Sequence, residues 1–147
     1  MILVSGAFVV VDNGSEVMVD HVSLLIIDEN PKVRTALEAR LGMIPQIQIM
    51  GSVGSVAEAE TALHEATPDV VLIEPKRLSG AGIELIQELT STPKPPLVIV
   101  LTSYHDEDEE LVTTELGIGC YMLKEIDSQA LVDAILSCRK QSGLRAS

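Results

Sequence analysis

From Val22 onward, short apolar runs alternate with segments in which apolar residues recur every three or four positions. The runs are VSLLII (22–27), QIQIMGSV (46–53), DVVLI (69–73), LVIVLT (97–102) and CYML (120–123), each followed by a helix-period segment. Near-continuous apolar strands separated by helices predict an α/β domain with a doubly wound, five-stranded parallel sheet and helices on both faces. Local signals mark the helix starts. Asn30 before Pro31 opens PKVRTALEARL, SVAE at 55–58 is a capping box, and AGIELIQEL follows a glycine-containing loop at 80–82. Asp127 caps a last helix whose Ala130, Leu131, Ala134, Ile135 and Cys138 recur at helical spacing. The fourth helix, about 106–116, has only Leu111, Val112 and Leu116 to bury and is predicted to be the least firmly packed.

Residues 1–21 stand outside this scheme. Two β-prone runs, ILVSGAFVVV and EVMVDHV, flank DNGS, and Asn-Gly between alternating hydrophobics is a strong hairpin signal. One reading is an extra N-terminal β-hairpin that adds to a sheet edge or to a partner chain. The other takes Met18 as the natural start. The organisation read from the sequence is an extension at 1–21, a domain at 22–139 and a tail at 140–147. The segment RKQSGLRAS reads as a frayed, basic-polar helix end.

Composition narrows the function classes. A chain of 147 residues is most simply one domain and can bury about 70% of the surface its unfolded form exposes, without disulfides or metal. With no Trp, one Phe and two Tyr, it lacks the aromatic platforms on which nucleic-acid bases stack. A formal charge of -12 repels phosphate backbones and anionic lipid, so neither nucleic acid nor a membrane is expected as a direct partner. The opening MILVSGAFVVV has no basic flank, and no later apolar run is long enough to span a bilayer. Cys120 and Cys138 suit two buried thiols better than a metal knuckle, and a cytoplasmic location follows. His21 and His64 lack spaced ligands and read as ordinary histidines.

In a doubly wound sheet, function gathers where the strands end. Those ends carry Asp28 and Glu29, then Glu74, then Thr102 and Ser103, and finally Lys124. Right-handed crossovers bring them to one edge. Glu74 stands out, because a carboxylate closing an apolar strand is costly unless its charge is used or compensated. Asp69, at the opposite end of the same strand, cannot take its place.

The motifs LLIIDENPKVRTAL, PDVVLIEPKRLSGAGIEL, LVIVLTSYHDEDEE and GIGCYMLKEIDSQALVDAI occur in that order. Together, over about 22–139, they resemble the receiver domain of bacterial response regulators, a CheY-like, flavodoxin-like fold with strand order 2-1-3-4-5. The flow of GCYMLKEID is most like the subfamily that carries a helix-turn-helix output domain. The resemblance implies Asp28 and Glu29 as acids for a weakly held Mg²⁺, Thr102 as the switch hydroxyl, Tyr121 as the rotating aromatic and Lys124 as the phosphoryl-binding ammonium. The family's phosphoacceptor is an aspartate, and Glu74 occupies that position. Pro75 replaces an aliphatic residue, and Leu78 and Ser79 stand where a Pro precedes the Gly.

Glutamate keeps the functional group, but one methylene displaces it by about 1.5 Å, and a misplacement of about 1 Å can cost 10²-fold in transfer. The same methylene brings the carboxylate toward Thr102 and Lys124, where it can accept the hydroxyl's hydrogen bond and act as a partial phosphomimic. The expectation is an atypical receiver, not an enzyme, acting on a protein partner such as a sensor kinase or a downstream signalling protein, or on a second copy of itself. Two rivals remain. One is a Mg²⁺-dependent phosphoryl-transfer enzyme, and the other is a conventional receiver separated from a DNA-binding output domain. Lys124 also has a purely structural reading, as counter-ion to the clustered acids. HDEDEE (105–110) reads either as a solvated helix start or as an acidic docking patch.

Overall fold

The computed structural model describes the backbone of residues 3–5, 8–10, 14, 16–18, 21–78 and 80–146, and side chains at 14, 21–78 and 80–137. Three short strands come first: β1 (Leu3–Ser5), β2 (Phe8–Val10) and β3 (Glu16–Met18). They pair antiparallel in a separate sheet of order β1-β2-β3. The run ILVSGAFVVV thus contributes two strands rather than one, while most of the DNGS turn lies outside the described residues. The side chain of Cys138, Ser79 and Ser147 also lie outside them.

The main sheet contains β4 (Val22–Ile27), β5 (Ile47–Val53), β6 (Val70–Ile73), β7 (Leu97–Thr102) and β8 (Cys120–Leu123), all parallel, in the order β5-β4-β6-β7-β8. This is the expected 2-1-3-4-5 arrangement. Between the strands run α1 (Pro31–Leu41), α2 (Val56–Glu65), α3 (Gly82–Thr90) and α4 (Glu107–Leu116), with α5 (Ser128–Ala146) after β8. The α5 backbone continues past residue 139.

Strand alternation sorts the core into two layers. Leu24, Ile26, Ile99 and Leu101 face one side, where they pack with Leu37, Leu41, Leu131 and Ile135 of α1 and α5. Leu25, Ile27, Val98 and Val100 face the other, with Ala59, Leu85, Ile86 and Leu89 of α2 and α3. Both faces are covered, which is why the strands read as unbroken apolar runs.

The caps form as read. Asn30 Oδ1 accepts from Lys32 N, Ser55 Oγ from Glu58 N at 3.1 Å, and Asp127 Oδ1 from Ala130 N. The fourth helix corrects one expectation. Leu111 and Val112 are 60% and 43% exposed, while Thr113 is fully buried. Helical phase decides this: Thr113 shares the inward face with Glu109, whose carbonyl accepts its hydroxyl at 2.8 Å.

Candidate functional site at the carboxyl edge of the sheet

The carboxyl ends of β4, β6, β7 and β8 surround a cavity of about 260 Å³ lined by Asp28, Asn30, Glu74, Lys76, Arg77, Ser103, Tyr104 and Lys124. Asp28 and Glu74 are 4% and 5% exposed. The Lys124 ammonium lies 2.7 Å from Asp28 Oδ2 and 3.7 Å from Glu74 Oε2, so it is paired first with Asp28. Asp28 Oδ1 accepts from Asn30 N at 2.9 Å.

Glu74 turns back onto the chain. Its Oε1 accepts from Lys76 N and its Oε2 from Ser103 N, each at 3.1 Å. The predicted bond from Thr102 to Glu74 is not made. Instead Lys76 Nζ donates to Thr102 Oγ1 at 2.6 Å, and the hydroxyl in turn donates to the Tyr104 carbonyl at 3.2 Å. The ammonium reaches the hydroxyl first, because a lysine two residues further along the loop has the longer stem and approaches from the side of α4.

Lys76 has two more partners, Glu109 Oε1 at 2.7 Å and the Tyr104 carbonyl at 3.2 Å, and it stands 4.6 Å over the Tyr104 ring. Three N–H donors thus meet three acceptors. The Tyr121 hydroxyl donates to the same Glu109 oxygen at 2.8 Å and accepts from Asp106 N at 3.3 Å, while His105 meets the Tyr121 ring edge-on at 5.7 Å. Burial penalises the Lys76 charge. The hydrogen bond to Glu109 and the nearby charges of Glu109, Glu74 and Tyr121 outweigh it and leave the pKa raised. The Tyr121 pKa is also raised, chiefly by burial and then by its bond to Glu109. At Cys120, burial alone raises the thiol pKa.

Mg²⁺, implied by the family resemblance through Asp28 and Glu29, fits these residues poorly. The Glu29 side chain is exposed and does not line the cavity, and the Arg34 guanidinium donates to the carbonyls of Asp28 and Glu29. Both carboxylates in the cavity already have partners, and three cationic side chains share its wall. Among the described residues no group of three or more His, Cys, Asp or Glu is placed to hold a metal ion.

Asp28, Glu74, Ser103 and Lys124 thus line one cavity, whereas Glu29, Thr102 and Tyr121 do not line it. Asn30 was read only as a helix cap and Glu109 only as part of the HDEDEE run, and Lys76, Arg77 and Tyr104 were not assigned to the site. The signal for Lys76 and Arg77 was a pair of basic residues after Pro75, just past the Glu74 strand end. For Glu109 it was only a place in the first turn of α4, where its N–H donates to the side chain of Asp106, the residue that caps the helix. HDEDEE is therefore not uniformly a solvated face: Glu109 turns inward, with its side chain 11% exposed, while Glu107 and Asp108 are exposed.

The sequence pattern of the response regulator receiver domain matches residues 24–136, and the chain belongs to that family. Among curated relatives, it is 32% identical over 114 residues to the DNA-binding transcriptional activator DevR/DosR of Mycobacterium tuberculosis, covering 78% of this chain and 52% of that protein. It is 31% identical over 119 residues to the transcriptional regulatory protein LiaR of Bacillus subtilis, covering 81% and 56%. The chain spans about half the length of these relatives. Among solved structures, the signal receiver domain of the response regulator NarL from Mycobacterium tuberculosis superposes with a TM-score of 0.74 at 21% identity, covering 82% of this chain and 98% of that one. The family places the chain in two-component signalling as a receiver, generally a non-enzymatic signalling domain. Among the described residues, no helix is long and apolar enough to cross a membrane.

Proposed function

We propose that this receiver is atypical, signalling by protein-protein contact through α4, β8 and α5, largely independently of aspartate phosphorylation. The observation that carries the reading is the setting of Glu74, which stands in the phosphoacceptor position. Its carboxylate is buried, and each oxygen takes a backbone amide at 3.1 Å. Phosphoryl transfer depends on an in-line nucleophile and on charge neutralisation. An acceptor displaced by about 1.5 Å, one carbon-carbon bond length, and held by two amides is badly placed for it. What Glu74 supplies is a standing negative charge beside Lys124. This is partial mimicry, because a phosphate would bring about two charges, and it does not extend to the Thr102 hydroxyl, which Lys76 holds.

The partners this reading supports are a sensor kinase, a downstream signalling protein or a second copy of the chain, in the cytoplasm. Incubation of the chain with Mg²⁺ and acetyl phosphate, followed by intact-mass measurement, tests it. The expected result is no added phosphoryl group. A covalent gain that disappears in Glu74→Gln overturns the reading.

A second reading has its own observation. The chain covers about half of relatives that include a DNA-binding activator, so it is also consistent with the receiver part of a longer DNA-binding regulator. In that case an appended domain would have to supply the DNA contacts, since a net charge of -12 opposes binding to phosphate backbones. Coding sequence for a helix-turn-helix segment in frame after Ser147 would support this reading.

A further inference from the structure

We infer that Lys76 is a positioning residue that sets the conformation of the α4 side of the receiver. The inference rests on the proposed reading that α4 meets partners without phosphorylation. Three elements converge on one ammonium. The loop after β6 brings it, the end of β7 offers the Thr102 hydroxyl and the Tyr104 carbonyl, and α4 offers Glu109. The side chains of Lys76 and Glu109 are 13% and 11% exposed, so the pair is screened little by solvent. The loop end is itself held, because Lys76 N donates to Glu74 Oε1. Glu74 therefore acts on α4 through Lys76, without touching Thr102.

Glu109 passes the constraint on. Its Oε1 accepts from Lys76 and from the Tyr121 hydroxyl, so one oxygen joins the loop to the aromatic of β8. If the ammonium is removed, a nearly buried carboxylate loses its counter-charge, and turning outward like its neighbours Glu107 and Asp108 becomes the cheaper state. Tyr121 then keeps only its longer contacts with the Asp106 backbone, at 3.3 and 3.5 Å, and the first turn of α4 loses its shortest ties to the sheet edge. The exposed Leu111 and Val112 on α4 move with that turn. The resting state of the docking side is thus written into the sequence at Lys76 and Glu109.

The chain has two tyrosines, Tyr104 and Tyr121, so 3-fluorotyrosine labelling gives two ¹⁹F resonances, assigned with Tyr104→Phe. In Lys76→Met, with far-UV circular dichroism unchanged, the Tyr121 resonance is expected to move toward that of free fluorotyrosine. Amide exchange in the first turn of α4 is expected to speed up at least tenfold. Lys76→Arg should retain most of the wild-type Tyr121 position. If Lys76→Met does not fold, Glu109→Gln takes its place, with the same direction expected. A Tyr121 resonance and α4 exchange rates that stay at wild-type values in a folded Lys76→Met or Glu109→Gln overturn the inference. Phosphoryl uptake by the wild-type chain, with Tyr121 still shifting in the variants, removes the underlying reading and leaves the Lys76 tie intact.

Discussion

Gly82, the first residue of α3, lies directly against Pro75: a Cβ at residue 82 would stand 2.6 Å from Pro75 Cα. Both residues flank the loop that carries Lys76, and the neighbour in the way is backbone that cannot swing aside. Gly82→Ala should therefore destabilise the chain by about 2 kcal/mol, as overpacking does, with a lower urea midpoint and an unchanged slope. The same variant should also shift the Tyr121 ¹⁹F resonance, since it displaces the loop.

The helical phase of α4 gives a paired prediction. Leu111 is 60% exposed and Thr113 is fully buried. Leu111→Ala should alter unfolding free energy by no more than about 0.5 kcal/mol, whereas Thr113→Asp, which buries an unpaired charge, should cost about 3 kcal/mol or more. Chemical denaturation of the two variants decides it. The reverse order would mean that α4 is rotated about its axis.

Lys124 stands 2.7 Å from a nearly buried Asp28. Removing one member of such a pair leaves the other charge uncompensated, so Lys124→Met should cost about 3 kcal/mol in urea unfolding at neutral pH. The double variant Lys124→Met with Asp28→Asn should recover part of that loss, because the stranded charge is gone. A double variant no more stable than Lys124→Met would show that Asp28 is not the partner that matters.

Lys76 and Tyr121 both have pKa values raised in the folded chain. For each group the folded state holds its proton more tightly than the unfolded state. Their contribution is therefore fully present below the unfolded values, about 10.4 for Lys and about 10 for Tyr, and is lost as pH rises through the folded values. Unfolding free energy measured against pH should show no loss from these groups up to about pH 10 and a decline above it. In Lys76→Met combined with Tyr121→Phe, the alkaline decline should be shallower.

Much of the architecture is legible in the sequence. VSLLII, LVIVLT and CYML coincide with β4, β7 and β8, and PKVRTALEARL with α1, because strands buried on both faces leave no polar interruptions and caps act within four residues. The two departures share a cause. α4 has too few apolar residues for its pattern to fix a face, so Leu111 and Val112 were assigned inward and Thr113 was overlooked. ILVSGAFVVV divides into two strands, and nothing in its sequence signals a break as strongly as Asn-Gly does.

The carboxyl-edge residues were legible because strand order alone brings strand ends together. The gathering of Asp28, Glu74, Thr102 and Lys124 at one edge follows from the alternation of strands and helices. Which of them touch was decided elsewhere. Glu74 and Thr102 are near neighbours across adjacent strands, yet the hydroxyl belongs to Lys76, and the acid that completes the set, Glu109, comes from a helix 33 residues further along the chain. Sequence spacing determines which residues share an edge, because backbone periodicity is local. Pairing among long, flexible side chains is a competition for a few buried acceptors, and only the packed loops and helices determine which ammonium arrives.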